Sequence, residues 1–374
     1  MVALFVLHLR FEMNIMKKLI YTIIATIFFT LSIQAQSNSV ESLINEGIKL
    51  HDSTEYKLAI EKFEGALKLN PQSTLAFYEL SLSYLELKDY ENASKYSTKV
   101  INANDQYLLI GAYAVKSEAL VGLDRIDDAI SILQDGLEKI GESYLLHFNL
   151  ALNYYKINNL DKTLEHVNRA IELDKTYSGA FLLSAYAQRD KGLWIRSIYS
   201  FQMFLLLEPD SARARNAFEE MLQVMYIAPV SAEKPLQRSF IQMQMNKNKG
   251  EELASMPIEP YPADEMVDRL SIHKEITHTL DSLKEDNSGE LDLFITFKEV
   301  NKTILEGLIN EGSTEVSPDN FWSFKYPFFK SILNSEYYDV FCRYISVSYF
   351  PESLKWWEEN QEQAKKFIDW FEKG

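Results

Sequence analysis

Histidine pairs at helical spacing are the first place to look for metal chemistry in this chain. His273 and His278 lie five residues apart in a stretch with helical periodicity. A zinc-binding helix presents its histidines four apart, with a glutamate between them. At five apart the side chains diverge by about 140°, because each residue turns roughly 100°. No shared metal is expected there. The remaining histidines of the body, His51, His147 and His166, are assigned to different copies of the pattern described below. Cys342 is the one cysteine and sits in the apolar stretch YYDVFCRYI. It can form neither an internal disulfide nor a cysteine cluster for a metal, and is expected as a packed thiol. There is no glycine-rich phosphate loop, no Gly-x-Ser-x-Gly elbow and no calcium loop. Carboxylates are plentiful, but most fall on the solvent faces of amphipathic helices. The sequence therefore offers no catalytic residue, no metal ligand set and no cofactor site.

The elements that would have to position any chemistry are helical. The 374 residues suffice for about two domains of roughly 150 residues each. A net charge of −16 opposes nucleic-acid binding, which needs clustered Lys and Arg against phosphate. Residues 16–36 read MKKLIYTIIATIFFTLSIQAQ. Lys17 and Lys18 precede an uncharged run from Leu19 to Ile33, and Ile33-Gln34-Ala35 has the small-residue form of a cleavage site. Fifteen apolar residues are fewer than the roughly 20 that span a bilayer. Residues 1–35 are thus expected to be a signal peptide, leaving no transmembrane span in the mature chain. The destination is an exported one, periplasmic or extracellular.

The stretch AIEKFEGALKLNP at 59–71 returns as SIYSFQMFLLLEP at 197–209. Between them the equivalent small or short residues are Ala59, Ala93, Ala129, Thr163 and Ser197, at spacings of 34, 36, 34 and 34. Gly47, Ser81, Ser117, Ala151 and Ala185 form a second small-residue series. Small side chains at both series let two helices approach closely, since overpacking costs about 1–3 kcal/mol. Phe63, Leu133, Val167 and Phe201 are expected to fill the space between units, with Ser97 standing where Phe would. Pro71 and Pro209 follow the second helix and stop it.

In this register and period the chain resembles the tetratricopeptide repeat (TPR) family. The resemblance implies an all-α fold: a TPR superhelix of about five helix-turn-helix repeats plus a C-terminal helical domain. Residues 40–228 would hold the repeats, with 211–226 as a capping helix. Residues 229–262, with five of the ten prolines, read as a linker. Residues 263–374 form an aromatic-rich helical domain with four of the five tryptophans. There Leu293, Phe297, Val300, Ile304 and Leu308 mark one helix face, and Ser317-Pro318 marks a helix start. Pro327 either kinks a helix or begins one. Pro351 opens a last helix striped by Leu354, Trp357, Ala364, Ile368 and Phe371. Exported bacterial repeat proteins with a helical tail are similar in arrangement.

Repeats of this class imply a scaffold that binds a protein or peptide in a concave groove lined by the first helix of each pair. Projection of the family's groove positions gives Tyr78, Leu82 and Glu86, then Phe148, Leu152 and Tyr155, then Tyr186 and Arg189. Ile44, Ile48 and Glu118 complete the row. The Lys, Asn and Arg set of the family's peptide-carboxylate clamp is absent. The row is aromatic and apolar, which suits an extended or helical apolar segment. The alternative function is an enzyme or ligand-binding activity in the C-terminal helices. Asn92-Ala93-Ser94 and Asn301-Lys302-Thr303 match glycosylation sequons. Nothing in the sequence fixes an oligomeric state.

Overall fold

The computed structural model describes residues 39–225, 269–286, 292–311 and 321–371. The leader at 1–35, the linker at 229–262 and the Ser317-Pro318 cap lie outside them. Among the described residues every regular element is a helix and no strand occurs, so the chain is all-α. Its contacts gather into two units, up to Ile140 and from Gly141 onward.

The first unit holds α1 (39–52), α2 (Tyr56–Leu69), α3 (Thr74–Glu86), α4 (Tyr90–Ala103), α5 (Leu109–Gly122) and α6 (Ile126–Ile140). The helices start where short polar side chains satisfy free backbone donors. Ser73 accepts from the Ala76 N–H at 3.3 Å, and Asp89 accepts from the Asn92 N–H at 3.2 Å. Pairs α1–α2, α3–α4 and α5–α6 close on the two small-residue series. A Cβ on Gly47 would collide with the Phe63 ring. Ser81, Ala59, Ala93 and Ala129 are fully buried, and Ser117 nearly so. Ser97, where Phe is usual, is also fully buried, and its hydroxyl donates to the Ala93 carbonyl at 2.8 Å. Phe63 and Leu133 lose all exposure.

The second unit continues with α7 (Tyr144–Lys156), α8 (Leu160–Leu173), α9 (Ser178–Asp190), α10 (Trp194–Leu207) and α11 (Ala212–Val224). Then come α12 (Arg269–Asp286), α13 (Leu293–Glu311), α14 (Tyr326–Leu333), α15 (Tyr338–Ile345), α16 (Pro351–Glu359) and α17 (Gln361–Phe371). Ala151, Ala185, Thr163 and Ser197 are fully buried at the pair contacts, as are Val167 and Phe201.

The two units share one turn. Thr54, Lys88, Asp124, Asn158 and Gly192 all have positive φ, and each sits between the two helices of a pair. Each N–H bonds the carbonyl three residues back, and the next N–H bonds the carbonyl five back, as in Thr54 to His51 and Glu55 to Leu50. This is the Schellman arrangement, which satisfies the last carbonyls of the first helix while the chain reverses. Asn70 and Glu208 cap the ends of α2 and α10, one residue before Pro71 and Pro209.

In the second unit the C-terminal helices share one apolar core with the repeats. On α10 only Arg196 and Leu207 escape burial. A helix apolar on all sides must be covered on all sides. Tyr199 meets Phe329 at 4.5 Å between ring centroids, and Phe218 of α11 meets Phe297 at 5.0 Å. A polar seam crosses this core. Gln202 donates to Asn301 at 2.6 Å, Asn301 donates to the Tyr338 hydroxyl at 3.1 Å, and Lys325 donates to Ser200 at 2.7 Å. Asn301 is therefore no glycosylation acceptor, since its amide is buried and bonded. Cys342 is buried and its thiol is pushed up to about 12 by that burial.

Pro327 begins a helix: it occupies the first turn of α14, directly after a π-helical turn at Phe321–Lys325. The single last helix expected from Pro351 is two helices, broken at Asn360. The break rotates the stripe, so that Leu354 and Ile368 are exposed while Ser353, Ala364 and Phe367 face inward.

Candidate functional site

In the first unit the first helices of the pairs, α1, α3 and α5, are neighbours along one face. The last turn of α1 is held on α3 by His51, whose Nδ1 lies 3.0 Å from the Ser83 hydroxyl. Tyr78 of α3 reaches across to α5, where its ring occupies the space a Cβ on Gly111 would need. Burial, then the charge of Glu79, holds the Tyr78 hydroxyl above its ordinary value. Leu82 is half-buried one turn on, and Glu86 is exposed at the end of α3. Ile44 is buried, Ile48 half-buried and Glu118 exposed. Glu79 follows Tyr78 in sequence and lies one turn before Leu82, its neighbour on the helix surface. Its carboxyl is raised above the usual range, first by burial and then by the charge of Asp52.

In the second unit an aromatic ring of one first helix again lies against the next first helix. Phe148 of α7 packs 3.5 Å from where a Cβ on Gly179 of α9 would stand, and edge-on to Tyr177 at 4.9 Å. Gly111 and Gly179 are thus two repeats apart, but only at Gly111 would a Cβ collide with the ring; at Gly179 it would meet Tyr177 and Phe148 at ordinary contact distance. Leu152 is half-buried. Tyr155 and Tyr186 are 5% and 7% exposed, so their rings belong mostly to the interior. Their hydroxyls join a charged cluster. Tyr155 donates to Asp190 at 2.5 Å, Tyr186 donates to Glu220 at 3.4 Å, and Arg189 pairs with both Asp190 and Glu220. Burial works against the Arg189 charge, and Asp190 and Glu220 outweigh it, so the guanidinium is held above its ordinary value. Burial raises the Glu220 carboxyl, and Arg189 only partly offsets this. Arg189 is already committed to carboxylates and offers little to a partner's acid.

Two histidines that the repeat assignment separates share one helix pair. His147 on α7 and His166 on α8 face each other with Nδ1 atoms 2.9 Å apart. His147 Nε2 lies 3.0 Å from Glu142, which also accepts from Arg169 at 2.9 Å. The fourth repeat begins before Tyr144 and ends after Leu173, so both residues fall inside it. Among the described residues no group of three or more His, Cys, Asp or Glu is arranged to hold a metal. None of the described helices is long and apolar enough to cross a membrane.

Residues 75–107, which span α3 and α4, match the tetratricopeptide repeat family. The TPR repeat-containing protein MJ1428 of Methanocaldococcus jannaschii is 25% identical over 135 residues, 36% of this chain. The match spans only 23% of that relative's length. Among solved structures, a thermophilic TPR protein of Thermus thermophilus is 22% identical, with TM-score 0.43, covering 50% of this chain and all of that one. The pilus biogenesis factor PilW is 14% identical, with TM-score 0.45, covering 56% of this chain and 93% of its own. The helix pairs, the buried small residues at their crossings and the five like turns repeat the matched pattern from 39 to 207, and the chain carries tetratricopeptide repeats.

Proposed function

We propose that this chain is an exported scaffold that receives a segment of a protein partner on the faces of its first helices. The observation that carries the reading is the paired aromatic shelf. Tyr78 on Gly111 and Phe148 on Gly179 lie half-buried on those faces, each beside a half-buried leucine, Leu82 and Leu152. An apolar segment laid there would gain about 25 cal/mol for each Å² it buries. In this reading residues 1–35 direct export, 40–228 present the binding faces, 229–262 connect, and 263–374 brace the repeats. Phe297, Phe329, Phe341 and Phe367 fill the space among the C-terminal helices, which supports packing rather than turnover there.

The test is capture of partners from envelope extract by the wild type and by a Leu82→Lys, Leu152→Lys variant. Both leucines are half-buried, so the variant is expected to keep its helical content. Partners retained equally by the two proteins would overturn the reading. Mass spectrometry of the exported chain is expected to show a start at Gln36, and a retained leader would refute cleavage.

A further inference from the structure

The face of α1, α3 and α5 carries carboxylates that the chain itself leaves unanswered. Among the described residues neither Asp52 nor Glu79 makes an ion pair or a side-chain hydrogen bond. His51, next to Asp52, lies 3.0 Å from the hydroxyl of Ser83, one turn after Glu79, which brings the end of α1 onto this part of α3, and the Asp52 charge adds to burial in raising the Glu79 carboxyl. α3 (TLAFYELSLSYLE) contains no basic residue, and Glu86 extends the same stripe two turns on. Several exposed carboxylates elsewhere in this unit are matched: Lys62 pairs with Glu46, Arg125 with Asp128, and Lys139 with Asp135. A partly buried, unpaired acid beside a like charge costs stability, and such groups gather where a partner is met. Next to them lie Tyr78, fixed on Gly111, and Leu82, both half-buried and apolar.

We propose that this face selects a basic amphipathic segment, with a Lys or Arg side chain set between Asp52 and Glu79 and a neighbouring apolar side chain laid on Tyr78 and Leu82. The inference rests on the scaffold reading and adds to it the charge of the occupant. The partner's cation supplies the counter-charge that the chain lacks, and the apolar contact sets how the segment lies.

Two labelled peptides of equal length and identical leucine spacing test this by fluorescence anisotropy with the full chain. One carries lysine at the remaining positions and the other glutamate. The lysine peptide is expected to bind the tighter. Asp52→Asn with Glu79→Gln is expected to weaken it about tenfold, the scale of two ion pairs within the exposed range. Asp127→Asn with Asp128→Asn, on α6, is the control for general attraction to an acidic protein and is expected to change little. Thermal melting checks folding, and Glu79→Gln is expected to melt no lower than wild type. If the glutamate peptide binds as well, or if the α6 control weakens binding equally, the charge inference is wrong. If Tyr78→Ala weakens both peptides while the carboxylate variant changes neither, the binding face stands and only the charge selection falls. If no variant affects either peptide, both readings fall.

Discussion

His147 and His166 share a single hydrogen bond between two Nδ1 atoms, so only one of them can donate. Charging both rings would set N–H against N–H. Around His147 stand Glu142 and Arg169, and around His166 stand Glu165, Lys162 and the stacked ring of Tyr154. His166 is held below its ordinary value of 6.5, first by burial and then by His147. The unfolded chain therefore binds this proton more readily than the folded one. The stability contributed is complete above about 6.5 and is lost as pH falls below that value toward the lowered one of the folded ring. The midpoint of urea unfolding is expected to fall more steeply between about pH 7.5 and pH 5.5 in wild type than in His166→Gln, whose amide can still donate to His147. Equal slopes would show that the pair does not act this way. Phe63, fully buried against Gly47, tests the packing at the same scale. Phe63→Ala is expected to cost about 3–5 kcal/mol in denaturant unfolding.

At the scale of the element, the turn within each pair carries a cost that the sequence pattern conceals. Thr54 and Lys88 adopt φ of 63° and 59°. The left-handed region costs an L-residue about 1–2 kcal/mol, and a β-branched one tolerates it least. Thr54→Gly and Lys88→Gly are each expected to raise unfolding stability by about 0.5–1 kcal/mol, after the greater chain entropy of glycine is offset. A loss of stability in both would mean that these turns are not held as described. Only Gly192 advertises its turn in the sequence, which is why spacing reveals the helix pairs but not the caps between them. The small-residue series was legible because steric contact between helices demands it at every copy. The shelf of Tyr78 on Gly111 was half legible: register placed Tyr78, whereas its glycine partner belongs to the next repeat. Glu79 went unread because its strain depends on how far the end of α1 reaches toward α3. The break at Asn360 lacks a glycine or proline and hides inside a continuous apolar stripe.

At the scale of the whole molecule, the repeats of the second unit do not end on a polar cap alone. α10 is covered by helices from far along the chain, and Gln202, Asn301 and Tyr338 fix how they meet. Asn301→Ala strands the Gln202 amide and is expected to cost about 1–3 kcal/mol. A chain cut after Met225 exposes Tyr199 and Phe218 and is expected to aggregate on expression, whereas a well-behaved monomer would show that the C-terminal helices are dispensable. The central claim concerns where a partner sits. A photo-crosslinking amino acid placed at Leu82, on the face of α3, or at Leu58, exposed on α2, reads it directly in the living cell. The account expects a discrete protein adduct from position 82, abolished by Tyr78→Ala, and none from position 58. Adducts of equal strength at both positions, or at 58 alone, would contradict it.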